Sequence, residues 1–234
     1  MKKVLAVFLC LCIALSSLAV GAYALCNDEE LNFVAVSDIH YLKPRNEISG
    51  NIDDPIYWYS NNRGTLEDES GFLLDGFLKE CAQNDDCDYV FIAGDLADNG
   101  RSNPEDHRFV AEKLKAFEEE TGKQVYVING NHDCSEKLST TRAVFKEIYA
   151  EFGYNEALTV DENTCSYTAD IGDKYRLIAF DTNHDSISSL NAMNTDRVNW
   201  VYKQSKKAKE DGKYPIARAF VQTGFFAVCS HGVF

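Results

Sequence analysis

Tyr89-Val90-Phe91-Ile92-Ala93-Gly94-Asp95-Leu96-Ala97-Asp98 joins five apolar residues, β-branched and aromatic among them, directly to a glycine and two aspartates. A continuous apolar run of this length reads as a strand buried on both faces, and the polar residues behind it as a loop at its carboxyl end. The arrangement recurs on either side. Phe33-Val34-Ala35-Val36 runs into Ser37-Asp38-Ile39-His40, and Val125-Tyr126-Val127-Ile128 runs into Asn129-Gly130-Asn131-His132-Asp133. Short apolar runs alternating with amphipathic stretches predict β-α-β units and an α/β fold.

Between the second and third runs the spacing predicts a helix. Asn103 caps it, Pro104 takes the first position, Glu105 and Asp106 fill the first turn, Gly122 closes it, and Phe109, Val110, Leu114 and Phe117 form its apolar face. A second helix carries Phe145, Ile148, Tyr149 and Phe152 into the core and stops at Gly153. Cys165–Ile171 and Tyr175–Asp181 read as paired strands joined at Gly172-Asp173, and Thr195–Lys209 as a helix with Val198, Val201 and Tyr202 inward. Residues 44–70 lack periodicity and predict a long packed loop, with Tyr57-Trp58-Tyr59 as part of a substrate wall. His107 and His184 read as solvated.

In α/β sheets ligands gather outside the carboxyl ends of the strands, so the three polar clusters are expected to meet at one edge. In Asp38-Ile39-His40 an oxygen and a nitrogen ligand share one side of an extended segment, because side chains two apart share a face. Each cluster alone is weak: Asp-x-His occurs by accident, and Asn-Gly-Asn is ordinary turn chemistry. Three in fixed order, each directly after an apolar run, make a strong signal.

That order resembles the calcineurin-like metallophosphoesterase family, whose pattern runs D-x-H, G-D-x-x-D, G-N-H-[D/E], a lone His and a final G-H-x-H. Asp38-Ile39-His40, Gly94 to Asp98 and Gly130 to Asp133 match the first three blocks. The resemblance implies a layered α/β sandwich and phosphoester hydrolysis with two divalent ions, Mn, Fe or Zn. Asp38 and His40 would bind one ion, Asp95 would bridge both, and Asn131 would bind the second. His132 would protonate the leaving oxygen, Asp98 would hold its imidazole, and Asp133 would stand behind the ligands. Asp98 in place of a tyrosine, and Asp-x-His in place of Asp-x-Gly, set the chain apart from the purple acid phosphatase branch. The chemistry agrees: two cations about 3.5–4 Å apart need a shared carboxylate, and an imidazole beside a carboxylate can hold a proton for a leaving group.

The resemblance covers residues 31–217. The expected lone His and G-H-x-H do not follow, and His231, in Cys229-Ser230-His231-Gly232, matches neither place nor motif. Residues 25–217 are therefore expected to be an incomplete catalytic domain. Residues 218–234, whose only charged side chain is Arg218, are expected to be either an apolar strand or the product of a frameshift or early stop near Ala217. Such a chain should bind one divalent ion better than two and hydrolyse phosphoesters poorly. The alternative is a non-catalytic acidic metal- or partner-binding module, a pseudo-phosphoesterase. The sequence lacks G-x-S-x-G and the motifs of metallo-β-lactamase-like and haloacid-dehalogenase-like hydrolases.

Composition bounds these readings. At 234 residues, 45% hydrophobic and 26% charged, the chain is neither disordered, collagenous nor coiled-coil. A net charge of −14 opposes binding to nucleic acid through its phosphates and favours metal ions. No nucleic-acid surface is evident, and the expected partner is a small-molecule phosphoester; the oligomeric state is left open. Lys2, Lys3, the apolar run Val4–Ala19 and Ala22-Tyr23-Ala24 predict a secretory leader over residues 1–24, cleaved near Ala24, and no other segment reads as a membrane span. The expected product is exported, with net charge −16. Six cysteines then remain, Cys26, Cys81, Cys87, Cys134, Cys165 and Cys229, as disulfides or buried thiols.

Overall fold

The three apolar runs form parallel strands β1 (Phe33–Val36), β2 (Tyr89–Ala93) and β3 (Gln124–Ile128), hydrogen-bonded in the order β1-β2-β3. The register pairs Val36 with Ile92 and Ile92 with Val127, so all three carboxyl ends finish at one edge. β2 and β3 are buried as expected, whereas β1 is only partly covered and Phe33 is exposed. The computed structural model describes residues 31–43, 67–183, 195–219 and 226–229; the leader, Tyr57-Trp58-Tyr59, His184 and His231 lie outside them.

Helix α1 (Glu67–Gln83) precedes β2 and begins inside the stretch expected to be loop up to residue 70. Leu74, Leu78 and Cys81 are its buried stripe, at spacings of four and three. Exposed Phe72 and Leu73 and the interior glycines Gly71 and Gly76 blur that pattern in the sequence. Its carboxyl end is capped by Lys123, whose Nζ donates to the main-chain oxygens of Cys81 and Asn84 at 2.7 Å each.

Helix α2 (Pro104–Thr121) has the expected bounds, with Gly122 closing it at φ 71°. It packs against α1 and β3, and its Phe109 stacks on Tyr41 at 4.3 Å. His107, expected in solvent, is completely buried on the same stripe as Val110, Leu114 and Phe117.

Helix α3 (Arg142–Ile148) ends sooner than the aromatic spacing predicts. A wider turn over Ala150–Tyr154 follows, with Gly153 at φ 114°. A side chain on Gly153 would strike Tyr167, whose hydroxyl donates to the Val127 main-chain oxygen at 2.8 Å. The turn thus makes room for a tyrosine that joins the second sheet to β3.

That sheet contains β4 (Thr159–Val160), β5 (Tyr167–Ile171), β6 (Tyr175–Phe180), β7 (Tyr214–Ala219) and β8 (Phe226–Cys229) in sequence order. β5 and β6 are the expected hairpin, β6 and β7 run parallel, and β8 pairs antiparallel with β7. Helix α4 (Thr195–Glu210) connects β6 to β7 and packs on both. Its inward residues are Gln204 and Ala208, while Val198 and Tyr202, expected inside, are exposed. A parallel and a mixed sheet, with helices packed on their strands, make a mixed α/β fold, as expected. Among the described residues no helix is long and apolar enough to cross a membrane.

Candidate metal centre

The β1 and β2 loops continue the parallel pairing beyond the strands. Asp38 N–H donates to Gly94 O at 3.1 Å, His40 N–H to Asp95 O at 2.8 Å, Tyr41 N–H to Leu96 O at 3.0 Å, and Asp98 N–H to Tyr41 O at 2.9 Å. This ladder fixes two of the three polar clusters to one another. To follow it while turning their side chains to one point, Asp38, His40 and Asp95 adopt φ of 59°, 48° and 52°, the only positive φ values of non-glycine residues among those described. The left-handed region costs such residues roughly 1–2 kcal/mol each. Three strained residues together are what an assembled site looks like, and these are three residues that the sequence proposes as metal ligands.

Their ligand atoms all lie within 4.8 Å of one another. His40 Nε2 is 3.6 Å from Asp38 Oδ1 and 3.7 Å from Asp95 Oδ2. Its Nδ1 is 2.9 Å from Asp98 Oδ1, a carboxylate 2% exposed. With Nδ1–H given to Asp98, the Nε2 lone pair points between two carboxylates, the orientation of a metal-binding histidine held from behind. Burial lowers the His40 pKa, but the bond to Asp98 and the charges of Asp95, Asp98 and Asp38 outweigh it and leave it raised. Burial and the charge of Asp133 push Asp95 up to about 6, against the pull of the His132 N–H and of the two imidazoles. Hard oxygens and one imidazole around a point of excess negative charge suit a divalent cation.

The third cluster is bound to the second by Asp133. Its carboxylate is fully buried and accepts four main-chain N–H groups: Asp95 at 2.8 Å and Gly130 at 2.6 Å on Oδ2, Leu96 at 2.8 Å and Ala97 at 3.2 Å on Oδ1. Burial pushes its pKa up to about 6 against those four donors. A side chain on Gly130 would collide with the carboxylate and main-chain nitrogen of Asp95, so only glycine lets the loops approach this closely.

His132 is held from two sides. Its N–H donates to Asp95 Oδ1 at 2.8 Å, and its Nδ1 lies 2.7 Å from the Asp98 main-chain oxygen. A carbonyl can only accept, so Nδ1 carries the proton and Nε2 is the working atom. The resemblance puts Asp98 on His132. In the structure the main-chain oxygen of Asp98 makes that bond, and its carboxylate, 3.7 Å from His132 Nδ1, makes the shorter contact with His40. The two imidazoles meet edge to face at 4.9 Å. Asn131 lies in the same turn, its main-chain oxygen bonded to Arg101 Nε.

Two contributors escaped the sequence reading. Arg101, besides its bond to Asn131, donates its N–H to His132 O at 2.9 Å. His107 sits between the Tyr149 hydroxyl and the Asp133 main-chain oxygen, 2.9 Å from each. Nε2–H must therefore donate to Asp133 and Nδ1 accept from Tyr149. Burial drives the His107 pKa down to about 4, the Asp133 bond pulling the other way. Its spacing from Val110, Leu114 and Phe117 was the available signal.

A family model described as calcineurin-like phosphoesterase matches residues 31–231. Over 79 residues, 34% of this chain and 20% of the relative, the sequence is 32% identical to a component of the SbcCD nuclease of Staphylococcus saprophyticus subsp. saprophyticus. The chain thus spans about a fifth of that relative's length.

Proposed function

Because the chain belongs to the calcineurin-like phosphoesterase family, for which metal-dependent phosphoester hydrolysis is the general chemistry, we propose that it hydrolyses small-molecule phosphoesters with divalent metal held on Asp38, His40 and Asp95. The observation that carries this reading is the convergence of those three side chains, with His40 Nδ1 fixed by Asp98. Divalent cations supply such a site with polarised phosphoryl oxygens and a water of lowered pKa. The chain's own residues supply the rest. Asp98 would hold the His40 ring so that Nε2 could meet a cation. Asp95 splits its work: Oδ1 fixes the His132 main chain, and Oδ2 turns toward His40. His132, its Nδ1–H tied to Asp98 O, offers Nε2 as the atom that hands a proton to the leaving oxygen. A second ion would rest on Asp95 and Asn131, a poorer donor set, so one ion binds more tightly than the other. We propose also that residues 1–24 direct export, which sequencing the amino terminus of the secreted protein tests: it should begin at Leu25.

The reaction is tested with aryl and alkyl phosphoesters in the presence of Mn, Fe or Zn. Asp95→Ala should abolish metal-dependent turnover. His132→Gln should slow the alkyl esters far more than the aryl esters, because a phenolate leaves without a proton and an alkoxide does not. Turnover indifferent to Asp95→Ala would overturn the reading. Tight binding of one ion with no turnover of any ester would favour the metal-binding module.

A further inference from the structure

β3 is the last strand of its sheet, so among the described residues one of its edges has no strand beside it, and the main-chain oxygens of a buried edge must find other partners. The second sheet supplies them as side chains. Tyr167, in β5, donates its hydroxyl to Val127 O at 2.8 Å, and Asn183, three residues beyond β6, donates Nδ2 to Asn129 O at 2.8 Å. Asn129 is completely buried, and directly past it the chain turns through Gly130, Asn131 and His132. The amide of Asn183 is itself held on both sides. Asp181, also completely buried, takes the Asn183 main-chain N–H at 2.8 Å and its Nδ2 at 3.2 Å on Oδ1, and the N–H of Cys165 at 3.0 Å on Oδ2. Arg197, in the first turn of α4, donates Nη1 to Asp181 O at 3.1 Å and to Asn183 O at 2.6 Å. A carbonyl can only accept, so the NH2 of Asn183 faces Asn129 and the amide has one orientation.

We propose that Asn183 is a positioning residue for the Gly130–His132 turn, acting through the main chain of Asn129, with Asp181 and Arg197 aiming its amide. The role rests on the function proposed above, in which Asn131 carries the second ion and His132 the proton. Asp133 and Arg101 hold the turn against the loop behind β2, and Asn183 fixes the point where it leaves β3. An edge carbonyl satisfied by a side chain is ordinary structure. Here the carbonyl stands two residues before a proposed ligand, and its donor is buttressed from β6 and from α4, so the placement of α4 is passed on to Asn131. The ladder that sets Asp38, His40 and Asp95 does not run through Asn129. Loss of Asn183 therefore acts on the second ion and on proton transfer and leaves the first ion in place. Helix α4, which carries none of the proposed ligands, becomes part of the support of the centre.

Asn183→Asp puts an oxygen where the NH2 stood, against Asn129 O and the Asp181 carboxylate. Arg197→Ala removes the support behind it, and Arg197→Lys keeps a cation able to donate to both oxygens. Amide hydrogen exchange of the full chain is followed by mass spectrometry across a Mn titration. In the parent, Mn should slow exchange in peptides covering residues 129–133. In Asn183→Asp the Mn concentration giving half of that protection should rise about 10-fold, while β5 and β6 exchange as in the parent. Arg197→Ala should move it in the same direction, and Arg197→Lys should return it toward the parent. The kcat for alkyl esters should fall further than that for aryl esters, because His132 moves with the turn. Should Asn183→Asp not fold, the two Arg197 variants decide the matter alone. An unchanged Mn midpoint in the variants, or faster exchange spread evenly over the whole chain, would overturn the inference and leave the functional reading intact. A parent turn indifferent to Mn would take the ion away from Asn131 and overturn both.

Discussion

Replacing Asp133 by asparagine changes one buried atom and tests whether a single carboxylate binds the loops after β2 and β3 together. Asparagine keeps the shape but turns one of the two oxygens into an NH2 donor. If the NH2 takes the place of Oδ2, the N–H groups of Asp95 and Gly130 lose their acceptor; if it takes the place of Oδ1, those of Leu96 and Ala97 do. Either way two buried donors are left facing a third. At about 1–3 kcal/mol for each buried group left unsatisfied, Asp133→Asn should destabilise the fold by ~2–6 kcal/mol. With a urea m-value of about 2 kcal/mol/M, this is a fall of ~1–3 M in the unfolding midpoint. The measurement belongs at pH 8, where Asp133, pushed up to about 6 by burial, is ionised, and in chelator, so that only the apoprotein is read. The same variant should bind Mn about 10–100-fold more weakly by calorimetry, because the Asp95 main chain is no longer held. A midpoint within ~0.25 M of the parent, with unchanged Mn affinity, would refute the reasoning.

The remaining predictions concern the two histidine supports. Asp98→Asn removes the negative partner behind His40 and should weaken the binding of the first divalent ion by about 10–100-fold in titration calorimetry; unchanged affinity would show that Asp98 does not orient His40. His107 is driven down to about 4 in the fold against 6.5 when unfolded, so between these values the unfolded chain binds the extra proton. Its contribution is fully present above pH 6.5 and is lost as pH falls toward 4, by up to about 3 kcal/mol. Unfolding free energies of the parent and of His107→Gln, which does not titrate, should diverge by that amount across the window, and parallel curves would contradict it.

The runs at β2 and β3 were legible because a buried strand needs a continuous apolar sequence, β1 because its run is equally apolar although only partly covered, and the polar clusters behind all three needed only the parallel register to meet. What stayed illegible depended on partners distant in the chain. His107 looks polar beside Asp106 and Arg108, and only the placement of Tyr149 and Asp133 42 and 26 residues away makes a buried site for it. Helix α1 was obscured because exposed Phe72 and Leu73 carry the same apolar letters as its buried stripe. For α4 the error ran the other way: Val198 and Tyr202 look like core, yet the buried side is the one bearing Gln204 and Ala208. Asp38 and His40 could be read from spacing as candidate ligands and Asp95 from the family resemblance, but the choice of Asp98 between two imidazoles could not be read, since both sit within reach of its side chain.

The left-handed backbone at Asp38, His40 and Asp95 also sets a course for the protein under altered selection. Glycine takes that conformation without penalty, so variants chosen for folding yield alone, with no demand for ester turnover, should drift toward glycine at these positions. Asp38, the most solvent-exposed of the three side chains, would go first. A lineage that had given up the chemistry would thus be recognisable by glycines at the ends of β1 and β2, while Asp133 and Gly130, which bind the loops together whether or not a cation is present, would stay.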